Sequence, residues 1–74
     1  VIKLYPNPSN GQFVIDAIGM NITSVKVMNV SGQEIMSKLI GASQANIQLD
    51  LSAGIYLVEV STENGSTIKR MVIK

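Results

Sequence analysis

The sequence predicts an all-β domain, a sandwich of about seven antiparallel strands. Val, Ile and Thr together number twenty-one of the 74 residues, and β-branched side chains suit a pleated, half-buried surface. The six glycines and two prolines fall between apolar runs, which is how turns punctuate strands. No segment carries a helical stripe of useful length, and turn signals recur at about 8 to 12 residues, the spacing of a sandwich.

Val1 to Tyr5 is the first run, ended by Pro6-Asn7-Pro8-Ser9-Asn10-Gly11, where the prolines withhold donors and Asn10-Gly11 accepts positive φ. Gln12 to Ile18 follows, with Phe13, Ile15 and Ala17 on one face and Val14, Asp16 and Ile18 on the other. After a loop at Gly19 to Asn21 comes Thr23 to Val30, whose apolar alternation changes phase at Met28; that predicts a bulge or a strand buried on both sides. Ser31-Gly32 reads as the two-residue centre of a hairpin into Gln33 to Ile40. Gly41 to Ser43 breaks that strand. Gln44 to Leu51 has the cleanest period of two, with Ala45, Ile47, Leu49 and Leu51 opposing Gln44, Asn46, Gln48 and Asp50. Ile55 to Thr62 places Tyr56, Val58 and Val60 opposite Glu59. Asn64-Gly65 predicts a type I′ turn into the last strand, Ser66 to Lys74. The simplest such sandwich is immunoglobulin-like, although the Cys pair and Trp of antibody-type domains are absent.

Residues 1–74 make one domain. At this size a chain buries only about 60% of its unfolded surface, and no cysteine is present to staple it. Without His or Cys there is no Ser-His or Cys-His nucleophile pair and no standard zinc site. Apolar residues are 46% and charged residues 15%, a folding composition. A net charge of +1 projects no strong field toward nucleic acid or an anionic membrane. No apolar run approaches the roughly 18 residues of a membrane span, and Val1 to Pro8 lack the pattern of a signal peptide. The chain starts in a strand-like run without a methionine, which suggests a domain cut from something longer.

The chemical candidates are few. Asp16, Glu34, Asp50, Glu59 and Glu63 sit on different strands or in turns, whereas a two-carboxylate hydrolase needs a convergent pair about 5 to 9 Å apart. The Pro6 to Gly11 loop has no acid to hold calcium, and no glycine-rich stretch opens a helix to cradle phosphate. No enzyme activity and no cofactor are expected. Asn21, Asn29 and Asn64 head Asn-x-Ser/Thr patterns, but Asn also belongs in turns for conformational reasons. Tyr5 and Tyr56 are too few for a stacking platform. Lys69, Arg70 and Lys74 put three of the six cations in the last six residues; they either protect an exposed edge or contact a partner.

Four blocks then stand in order: Tyr5-Pro6-Asn7-Pro8 with Asn10-Gly11; Val25-Lys26-Val27 leading to Val30-Ser31-Gly32-Gln33-Glu34; Leu49-Asp50-Leu51-Ser52 with Gly54-Ile55-Tyr56-Leu57-Val58; and Lys69-Arg70-Met71-Val72-Ile73-Lys74. In this order they resemble the C-terminal sorting domain of type IX secretion substrates in Bacteroidetes-type bacteria. The resemblance implies a non-catalytic signal fused behind an N-terminal cargo that carries its own export signal. Such a signal directs its cargo through the periplasm to the outer-membrane translocon, and so to the cell surface or the medium. A sortase-like surface protease commonly removes it there. By the same resemblance Tyr5, Pro6, Asn7, Pro8 and Gly11 fall in the first sorting motif, Gly54 and Tyr56 in the Gly-x-Tyr motif, and Lys69, Arg70 and Lys74 in the basic terminal motif. One departure is that only Ala53 separates Ser52 from Gly54, where members often have a longer link. Neither nucleic acid nor direct membrane insertion is implied. An adhesion or carbohydrate-binding module, or a passive spacer, is the alternative reading of the same sandwich.

Overall fold

Each apolar run of the sequence becomes a strand. The computed structural model describes residues 2–5 and 10–74, and among them the strands are β1 (Ile2–Tyr5), β2 (Gln12–Ala17), β3 (Ile22–Asn29), β4 (Glu34–Ala42), β5 (Gln44–Gln48), β6 (Gly54–Thr62) and β7 (Gly65–Ile73). One sheet has the order β1-β2-β5 and the other β4-β3-β6-β7, with every neighbouring pair antiparallel. The chain leaves the small sheet after β2, makes the β3–β4 hairpin in the large one, returns for β5, and finishes with the β6–β7 hairpin. This is an immunoglobulin-like sandwich in which β4 stays beside its hairpin partner, not in the small sheet as in a constant-type domain.

Period-two alternation creates the core. Phe13, Ile15 and Ala17 of β2 and Ala45 and Ile47 of β5 are buried against Val25 and Val27 of β3, Val58 and Val60 of β6, and Met71 and Ile73 of β7. Fully burying a side chain of the Val, Ile or Phe kind contributes about 1.5 to 3 kcal/mol, so β2, β3 and β6 together with the edge strands β5 and β7 carry the stability. The other two edge strands lend partly buried groups, Ile2 and Leu4 from β1 and Met36 and Ile40 from β4.

The phase change expected in the third strand is a bulge, and it lies on the partner. Val27 pairs with Met36 and Met28 with Glu34, leaving Ile35 of β4 as the extra residue. A second shift lies between Ile22 and Ser24. Gly41, at φ 74°, stands in that region, so the glycine expected to break the strand bends it and β4 continues to Ala42. The sequence also ran β5 too far: the ladder ends at Gln48, where the Leu49 N–H turns to the Gly11 carbonyl at 2.7 Å.

Two turns differ from expectation. The β3–β4 loop is Val30–Gly32, three residues and not two. The Gly32 N–H returns to the Asn29 carbonyl, the Asn29 N–H donates to the Gln33 carbonyl, and Gly32 holds φ 87°; this is the turn-plus-glycine-bulge form of a three-residue hairpin. The last hairpin is centred on Glu63-Asn64, with Thr62 opposite Gly65. Positive φ occurs at Gly65 and not at Asn64, which excludes the type I′ geometry. The Thr62 hydroxyl instead accepts from the Asn64 N–H at 3.2 Å.

Candidate functional site

Antiparallel order brings the end of β1, the starts of β2, β4 and β6, and the ends of β3, β5 and β7 to one end of the sandwich. Tyr5, Gly11, Gly54, Tyr56 and Lys74 therefore gather there. Pro6, Asn7 and Pro8 of the first motif lie outside the described residues. Lys69 and Arg70 lie higher on β7, opposite Val58 and Leu57.

Hydrogen bonds link the blocks at this end into a seam. Gly11 is buried at φ 107°, and a Cβ there would collide with the Leu49 carbonyl oxygen. With its own carbonyl accepting from the Leu49 N–H, it ties the first block to the Leu-Asp-Leu-Ser block. The Tyr56 hydroxyl donates to the Ser52 carbonyl at 2.7 Å, tying that block to Gly-x-Tyr. A tyrosine near the start of the sixth strand that reaches back a few residues is the tyrosine corner of immunoglobulin-like sandwiches. Gly54 pairs with Ile73, which joins the Gly-x-Tyr block to the terminal one. Gly54 needs no positive φ, and a Cβ there would meet the Tyr56 ring at an ordinary 3.7 Å. Neither backbone conformation nor crowding requires a glycine at this position.

The turn of the second block fastens itself. The Asn29 side-chain carbonyl accepts from the Ser31 and Gln33 N–H groups at 3.0 and 2.9 Å, and its amide donates to Gln33 Oε1 at 3.1 Å. Sequence reasoning placed Asn29 in a glycosylation pattern and missed this cap. The signal was Asn followed by Gly three residues on.

The basic motif divides between the two faces of β7. Lys69 shares the inner face with Met71 and Ile73, and Arg70 projects from the outer face, because neighbours on a strand alternate. An inward-pointing lysine on an edge strand discourages strand addition. On the other edge Lys38 does the same opposite Val25. Lys74 lies exposed just past β7.

Two of the five carboxylates do converge: Glu34 and Glu59 each approach Lys26 Nζ at 3.9 Å on the outer face of the large sheet. An ammonium lies between them and the face is open, so the trio is a surface charge ladder of small energetic weight. Among the described residues no cluster of three acidic or other metal-ligating side chains could hold a metal ion. No helix there is long and apolar enough to cross a membrane.

An immunoglobulin-like sandwich whose motif residues form a seam at one end defines a small all-β module. A family model, the secretion system C-terminal sorting domain, matches residues 3–74, and the chain belongs to that family. It is the family that the sequence blocks resemble. No curated protein matches the chain. Among similar solved structures is that of PorZ, an essential bacterial surface component of the type IX secretion system of Porphyromonas gingivalis, with a TM-score of 0.78 at 18% identity. The likeness covers 99% of this chain and 11% of PorZ, and at that identity it establishes the fold.

Proposed function

We propose that the chain is a non-catalytic sorting signal that directs a covalently attached N-terminal cargo across the outer membrane through the type IX secretion system. The observation that carries this reading is the family match over residues 3–74. The domain passes with its cargo through the periplasm, engages the outer-membrane translocon, and reaches the cell surface, where a sortase-like protease removes it and the cargo is anchored or released. The seam makes the signal a folded object, and the exposed cations Arg70 and Lys74 are assigned by this reading to recognition by the secretion machinery.

The test is a reporter with an N-terminal export signal, fused ahead of this chain in a type IX-competent cell. The expected result is reporter on the surface or in the medium. A stable fusion retained in the periplasm overturns the reading.

A further inference from the structure

Where the open side of the sandwich brings the edges of the two sheets together, β1 and β7 flank a cleft of about 380 Å³ lined by Ile2, Lys3, Leu4, Tyr5, Lys69 and Arg70. Three of the six lining residues are cations and none is an acid. Of the carboxylates, Glu34 and Glu59 flank Lys26, Asp50 and Glu63 lie in loops at opposite ends, and Asp16 stands opposite Lys3 across the β1–β2 ladder. Asp16 thus stands against Lys3 and Glu59 lies diagonal to Arg70 on the outer face, while Lys69, on the inner face, has Val58 opposite it. Lys69 is half-buried with its stem on the inner face. A lysine so placed keeps its methylenes on apolar surface and carries its ammonium out to water, here through the cleft. Tyr5 is 43% exposed and sets an amphipathic ring at the rim.

We infer that this cleft between β1 and β7 docks an extended peptide segment bearing carboxylates spaced by apolar residues, with Lys3 and Lys69 as the paired cationic contacts. Charge complementarity selects the acids. The extended form follows from the lining: four consecutive residues of β1 span about 10 Å, longer than an isolated phosphate needs, and Ile2, Leu4 and Tyr5 supply apolar contact that a phosphate would not use. The segment's place on the export machinery rests on the sorting function proposed above, whereas the binding does not.

The test titrates the 74-residue chain into a fluorescein-labelled octapeptide alternating Glu with Leu, and into its Gln counterpart. Preferential binding of the Glu peptide, weakened by salt and by about tenfold in Lys3→Gln/Lys69→Gln but unchanged in Lys38→Gln, supports the cleft. Lys3→Gln alone, on the exposed wall, gives a smaller loss and guards against misfolding of the double variant; thermal melts accompany each. Equal affinity for the Gln peptide, or no loss in either variant, overturns the inference. So does inorganic phosphate or an anionic phosphatidylglycerol vesicle competing as well as the peptide. In the reporter fusion the double variant should lower export. Normal export alongside lost peptide binding overturns the assignment to the export partner. If the unaltered fusion is not exported, the sorting function falls, and the titration still decides the cleft.

Discussion

Gly11 and Gly41 both hold positive φ, at opposite ends of the sandwich, and their surroundings differ. A Cβ on Gly11 would run into the Leu49 backbone, whereas one on Gly41 would meet nothing within 4 Å. The contrast extends to the ends themselves. Around Gly11 the loops are fastened to one another by the Gly11–Leu49 and Tyr56–Ser52 hydrogen bonds, beside the Asn29 cap. At the other end Gly19 and Gly65 also stand in open space, and the cross-links are the Ala17–Ser43 backbone bond, the Thr23 hydroxyl donating to the Ser61 carbonyl at 3.0 Å, and the contact of the Asn64 amide with Met20 Sδ at 3.3 Å. Both ends are cross-linked, and what separates them is crowding: Gly11 is wedged against backbone, whereas Gly19, Gly41 and Gly65 stand clear of it.

The comparison can be broken by paired substitutions. Gly11→Ala combines left-handed strain with a backbone collision and should cost about 3 kcal/mol or prevent folding, a large share of the roughly 5 to 15 kcal/mol of a small domain. Gly41→Ala has the strain alone and should cost about 1 to 2 kcal/mol. Equal losses in urea unfolding would show that the two ends are equally tight. Tyr56→Phe removes the hydroxyl and should cost about 1 kcal/mol, read as a Tm lowered by about 4 to 8 °C. The smallest stability effect belongs to Lys69→Ala/Arg70→Ala/Lys74→Ala, below about 1 kcal/mol, while export of the reporter falls. Undiminished export would return these residues to edge protection alone.

The strands were legible because burial imposes a period of two, visible in Phe13-Ile15-Ala17 and Val58-Val60. The turns were less so. Asn64-Gly65 reads as type I′ in isolation, yet the register chosen by the whole β6–β7 ladder moved the loop one residue earlier and left positive φ to Gly65 alone. The seam was half legible: Gly11 and Tyr56 were singled out, but their partners Leu49 and Ser52 act through backbone atoms, which any residue supplies. The placement of the basic motif was not legible because neighbours on a strand alternate between faces: Lys69 leans inward and Arg70 outward, yet both line the cleft beside β1. Lys3 was missed because its partner in the cleft lies sixty-six positions away on a different sheet, and only packing brings the two edges together.

The last strand gives Met71 and Ile73 to the core and pairs with β6 along its full length. A product whose synthesis stops before Met71 cannot close the sandwich, however complete the sequence ahead of it. Strands written early in the sequence therefore wait on β7 before their core faces are covered.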